Sequence, residues 1–172
     1  MALTTAEHFA ASAYLTEWPD HFDYDELCNA IAARNEDYVK ATVGSAGPGD
    51  ITAIGHAQGF DAFSAALING TTSHALDYDD VNLAMNGHPT AAVLPAILAL
   101  AETRDSSGAE IIAAFLAGYE TAARIGLLVA PGHYAQGFHS TCTLGVIGAA
   151  AGCARLLRLD LDATARAMGI AA

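Results

Sequence analysis

An all-α fold, organised as a helical bundle-like domain, is what this sequence predicts. Apolar residues recur at helical spacing almost throughout, and alternating β-branched runs are missing. The breaks between periodic stretches carry proline, glycine and capping residues. With 172 residues the chain fits one domain, 1–172, long enough to bury a real core.

The first helix is expected over about Thr5 to Glu17, ending near Trp18-Pro19. A second starts after Asp23, a suitable N-cap, and runs through DELCNAIAARNEDYVKAT. SAGPGDITAIGHAQG reads as a glycine-rich loop. Helical periodicity resumes near Asp61 and continues through FSAALINGTTSHALDYDD to about Asp80. The next helix begins at His88-Pro89-Thr90, where proline fits the first turn, and Pro95 should kink or loosen it. In SSGAE, Ser107 and Glu110 form a capping box before a long apolar helix that stops at Pro131-Gly132. The loop HYAQGFH leads into STCTLGVIGAAAGCARLLRL, which Ser140 or Thr141 can cap. Gly145, Gly148, Ala149 and Gly152 give that helix a small-residue face suited to close packing. DLDATARAMGIAA opens a last helix at Asp160 or Asp162 and has no C-cap signal, as expected of a segment of a larger fold.

Composition excludes several classes. A formal charge of −12 speaks against nucleic acid, which needs a basic footprint; Lys40 is the sole lysine. Hydrophobic residues make up 53% and mean hydropathy is +0.31, so a membrane protein must be considered. AAVLPAILALA contains Pro95, IIAAFLAGY meets Glu120, and the run from Cys142 to Ala154 is short, so none is expected to reach the roughly 18–20 apolar residues of a spanning helix. The first twenty residues lack a basic n-region and a continuous apolar core, so no signal peptide is read and a cytoplasmic location is expected. Cys28, Cys142 and Cys153 show no CxxC spacing and suit buried thiols in a reducing compartment.

The ionisable residues gather in HALDYDDVNLAMNGHPT, residues 74 to 90, with two histidines and three aspartates. If the helix extends to Asp80, His74 and Asp77 share a face while Asp79 points elsewhere. A plain reading makes His74 a satisfied core histidine and the aspartates turn caps. His88 and His139 each precede a helix, so two imidazoles would lie beside two N-termini, a reasonable setting for a carboxylate substrate. Taken singly, each is better explained by a plain capping or surface role. Metal hydrolysis competes for the same residue types, but no His-Asp dipeptide, HExxH or GxxxxGK[ST] occurs, and no GxSxG supports serine catalysis.

INGTTSHALDYDD, GHPTAAVLPAILALAE, SGAEIIAAFLAGYETAARIG and GFHSTCTLGVIGAAAGCARLLRLD occur in order across residues 61–172 and resemble the MmgE/PrpD family of 2-methylcitrate dehydratases and cis-aconitate decarboxylases. Residues 1–50 diverge from it, Val81 stands where relatives often carry threonine, and Ser140 and Cys142 replace a common proline and glycine. The resemblance implies a large helical domain, a smaller α+β lid whose counterpart is not in this sequence, homodimers, and a site without metal or cofactor. It implies dehydration or decarboxylation of a small polycarboxylate, with His88 and His139 exchanging protons and Asp77 orienting one of them. A family-type lyase is therefore the first expectation, incomplete as it stands because the substrate's cationic partners are missing. A non-catalytic remnant that binds a partner through its apolar surface is the alternative.

Overall fold

The computed structural model describes residues 41–129 and 131–172. The two helices expected before Thr42, and Cys28 with them, lie outside the described residues, although residues 41–44 are helical. The other elements are β1 (Pro48–Thr52), β2 (Gly59–Phe60), α1 (Ala62–His74), α2 (Pro89–Glu102), α3 (Gly108–Val129), α4 (Gly132–Ala135), α5 (Ser140–Leu156) and α6 (Leu161–Ala171). Helices dominate, as expected for the all-α class.

The stretch read as a loop is instead a small antiparallel hairpin. Thr52 pairs with Gly59 and Ile51 with Phe60, with a bulge between Pro48 and Ile51. Apolar burial explains it: Phe60 and Ala53 pack on Ala65 and Ile68 of α1. Buried Asn69 on α1 ties down the strand end, accepting from Ile54 N–H and donating to the Thr52 carbonyl. The Thr52 amide and hydroxyl donate to Glu102 at the end of α2, and these bonds hold the Glu102 carboxyl below its ordinary pKa.

Asp61 caps α1, accepting from the amides of Phe63 and Ser64. The helix stops at His74, not near Asp80. Asp77 adopts a left-handed backbone, φ 51°, which a continuing helix cannot contain. Successive carboxylates also oppose the dipole at a helix C-terminus. α2 runs as one continuous helix through Pro95, which is buried. Pro95 has no amide for the Ala91 carbonyl, and that carbonyl faces Gly70 of α1.

The capping box closes as expected: Ser107 Oγ and N–H donate to Glu110. Glu110 also accepts from Arg158, the residue after the α5 C-cap, at 2.9 Å. α3 passes Glu120 and continues to Val129, so its 22 residues correct the expectation that no segment reaches spanning length. By length and composition it could cross a membrane. It also packs directly on α5, where Gly118 and Gly148 approach so closely that a Cβ on Gly148 would lie 2.7 Å from the Gly118 carbonyl oxygen.

That contact fulfils the small-residue reading of α5. Gly118 meets Gly148 and Ala114 meets Gly152, so α3 and α5 run antiparallel; Ala92 meets Gly145 and Ile97 meets Gly152, so α2 runs parallel to α5. Val93, Ile97, Ala101, Ala114 and Leu156 form the core between these helices. Each fully buried Val or Ile there contributes about 1.5–3 kcal/mol relative to exposure. Ala149 departs from the packing face and lines a cleft. His139, not Ser140 or Thr141, is the N-cap residue of α5; both hydroxyl residues are buried inside its first turn. Asp160 caps α6, accepting from Ala163 N–H at 2.7 Å.

Candidate active site

A latch between distant segments builds the site. Residues 82–87 form a tight turn closed by an Asn82–Gly87 bridge, with Asn86 at φ 57°. Met85 at its tip is fully buried with Ala122 of α3 and Leu144 of α5. Gly87 then passes against the start of α5, where a Cβ would lie 2.9 Å from both the amide nitrogen and Oγ1 of Thr141. The next residue, His88, donates its amide to Thr141 Oγ1 at 2.9 Å across 53 positions of sequence. This bond sets the N-terminus of α2 beside that of α5.

His88 and His139 are the N-cap residues of those two helices, and neither uses its side chain as a cap. Both imidazoles are therefore available for other partners, as the reading of paired N-termini expected. The first amide of α2 is absent because Pro89 occupies N1, so α5 presents the more complete set of orphan donors.

His74, at the end of α1, completes the group. Its ring lies 4.8 Å from that of His88, centroid to centroid. His74 Nδ1 is 2.9 Å from Asp79 Oδ1 and 3.1 Å from Oδ2. A carboxylate can only accept, so Nδ1 carries the proton and Nε2 is left to exchange with a ligand. Asp79 is nine-tenths buried, and it is 3.5 Å from His88 Nδ1. Asp77 is exposed and lies 3.6 Å from His88 Nε2, beyond hydrogen-bond range. The sequence expectation that His74 and Asp77 share a helical face fails because the helix ends first; the left-handed turn at Asp77 sends Asp79 back to His74 instead. Asp80 stands outside this group, its oxygens buried beside Tyr119 without a well-aligned bond. Burial pushes the Tyr119 hydroxyl up, and the Asp80 carboxylate adds to that.

His139 sits within electrostatic reach of the other two histidines. Burial holds its imidazole below the ordinary 6.5, and positive charge on His74 or His88 lowers it further. Its Nδ1 lies 3.3 Å from Cys142 Sγ. Cys142 is exposed, which corrects the expectation of a buried thiol, while Cys153 is half-buried and its thiol is pushed up by burial. A cleft of about 590 Å³ opens between α1, α2 and α5, bounded by alanines together with Thr71, His74, Thr141 and Cys142. Among the described residues, no lysine or arginine lines it.

His88, Asp77 and His139 were legible in the sequence as candidates, and the fold brings the first two within 3.6 Å. His74 and Asp79 carry the best-formed pair in the group yet were not marked as site residues. Their signal was present in HALDYDD, but the helix end that pairs them was misjudged.

Known proteins match this chain. The family model described as the MmgE/PrpD N-terminal domain matches residues 19–172. The cis-aconitate decarboxylase of Aspergillus terreus is 31% identical over 153 residues, 84% of this chain and 31% of that protein. The cis-aconitate decarboxylase-like protein oryM of Aspergillus oryzae is 32% identical over 131 residues, 72% of this chain and 27% of that protein. The human cis-aconitate decarboxylase is 34% identical over 118 residues, 62% of this chain and 23% of that protein. The chain thus spans less than a third of the length of these curated relatives.

Proposed function

This chain belongs to the MmgE/PrpD family, and from that membership we propose that it supplies the proton-transfer side of a lyase acting on a small unsaturated polycarboxylate. The carrying observation is the convergence of three histidines from three helix ends, of which His74, fixed by Asp79, lines a substrate-sized cleft. Decarboxylation is favoured over dehydration because the matched relatives bear the name of cis-aconitate decarboxylase.

The chemistry asks for little more than geometry and one proton. A carboxylate placed β,γ to an alkene leaves as carbon dioxide when its C–C bond breaks; the electron pair becomes a new C=C, and the far alkene carbon takes a proton. An imidazolium held within reach of that carbon delivers it. His74, with Nε2 directed away from Asp79, and His88, between Asp77 and Asp79, are placed to do so. Partial desolvation favours the neutral form of His139, which suits it to hydrogen-bond the substrate rather than to deliver the proton. The N-terminus of α5, which has no side-chain cap, suits a substrate carboxylate, whose remaining charge calls for cations that the described cleft does not supply.

The test is carbon dioxide release from cis-aconitate by the full-length protein. His88→Ala and His139→Ala should each lower kcat by about 10²–10⁴-fold, with EDTA leaving the wild type unaffected. Loss of activity in EDTA with recovery on adding a divalent metal would sink this reading.

A second reading has its own support. α3 exposes Ile112, Leu116, Leu127 and Leu128, apolar area suited to a second copy of the chain or another helical partner. Sedimentation as a monomer at micromolar concentration would count against it.

A further inference from the structure

We propose that His74, Asp77, Asp79 and His88 form a binding site for a divalent transition-metal cation of the zinc class, separate from any need of the reaction for metal. One ligating atom from each of the four residues lies within 4.8 Å of every other. His74 Nδ1 and His88 Nδ1 stand 2.9 and 3.5 Å from the same Asp79 oxygen. Those separations bracket the edge of a tetrahedron with metal–ligand bonds of about 2.0–2.1 Å, an edge of roughly 3.3 Å.

Chemistry selects the ion. Two imidazoles and two carboxylates suit zinc, iron or manganese, whereas magnesium and calcium prefer an all-oxygen shell. Two carboxylates balance a double positive charge, and the chain's net charge of −12 draws cations towards it. An independent observation points to a missing partner. His88 Nδ1 is buried and makes no hydrogen bond; a cation at that position would satisfy it. Asp79 is nine-tenths buried and so is shielded from water that would otherwise compete. Asp77 is the outlying ligand, its side chain 74% exposed on a left-handed turn beside His88 Nε2, from where it would swing to reach an ion at Nδ1.

The site takes the proton that His74 and Asp79 share, so bound metal and proton exchange at His74 exclude one another. The cation would therefore act as an inhibitor of the proposed lyase, not as its cofactor. The binding claim does not rest on the lyase reading, and its test reads no turnover.

The experiment is titration of the untagged full chain with Zn²⁺ against a chromophoric chelator, alongside the visible spectrum with Co²⁺. One tight Zn²⁺ per chain is expected, undisturbed by excess Mg²⁺, with intense Co²⁺ bands of a four-coordinate nitrogen–oxygen site. Asp79→Asn and His88→Ala should each weaken Zn²⁺ at least about 10-fold, by analogy with the loss of metal-site partners. If either variant melts early, Asp77→Asn supplies the measurement, because its exposed side chain carries no packing. Absence of Zn²⁺ binding, a six-coordinate Co²⁺ spectrum typical of hydrated surface histidines, or unchanged affinity in Asp77→Asn and a folded cluster variant would each overturn the proposal.

Discussion

At the scale of single residues, the pair that most decides the site is His74 and Asp79. Asp79 fixes the tautomer of His74 and orients its ring, so Asp79→Asn should lower turnover by about 10²-fold even though the amide oxygen can still accept. A KM unchanged beside that fall in kcat would identify orientation, not binding, as what was lost. The fold gathers His74, Asp77, Asp79 and His88 from the ionisable stretch that the sequence showed, but it pairs them differently from the helical spacing. Spacing of three placed His74 with Asp77, a relation that holds only inside a helix. Asp77 instead turns left-handed at φ 51°, a conformation that aspartate tolerates and sequence alone seldom signals. His88 and His139 were easier to place because proline and hydroxyl residues after them mark helix starts. The clustering of His139 with the others could not be read, since it depends on a contact between residues 53 apart.

At the scale of elements, the helix boundaries were legible wherever side chains satisfy backbone groups. The Ser107–Glu110 box is the clearest case, and it yields a pH prediction. Hydrogen bonds from the Ser107 amide and hydroxyl, then from Arg158, take the Glu110 pKa from an ordinary 4.5 to about 2. A carboxylate depressed in the folded state stabilises fully above pH 4.5, and that contribution disappears as pH falls from 4.5 towards 2. Acid unfolding followed by circular dichroism should therefore show a shallower loss over this window in Glu110→Gln, which has no such proton to bind. The hairpin of β1 and β2 escaped notice because its strands are too short to show alternation, and glycines at 47, 49, 55 and 59 outweighed Ile51 and Phe60 in the reading. Small residues on α5 were read correctly as packing. Gly148→Ala forces a methyl against the Gly118 carbonyl, Ala122 and Val93, and should destabilise by about 1–3 kcal/mol in urea unfolding.

At the scale of the whole molecule, a helical class was apparent from periodicity, whereas the assembly of its parts was not. α5 organises the described region: α2 lies parallel to it, α3 antiparallel, and the cleft opens where α1 leaves room beside it. One bond connects that arrangement to the chemistry. Thr141→Val removes the acceptor of the His88 amide and leaves a buried donor unpaired, which should cost about 1–3 kcal/mol and loosen the join of α2 to α5. The helical content should stay as it is, and thermal unfolding read by circular dichroism against loss of ligand response separates the two effects. The same bond makes the His88 N–H a natural reporter. Its proton can exchange with deuterated water only when the turn at 82–87 lifts from α5, so its exchange rate measures how often the two halves of the site part company. If that rate tracks global unfolding, the histidines are held together for as long as the fold lasts. If it is faster, the site loosens on its own clock, and the spacing of His88 from the start of α5 fluctuates each time Met85 leaves its hole in the core.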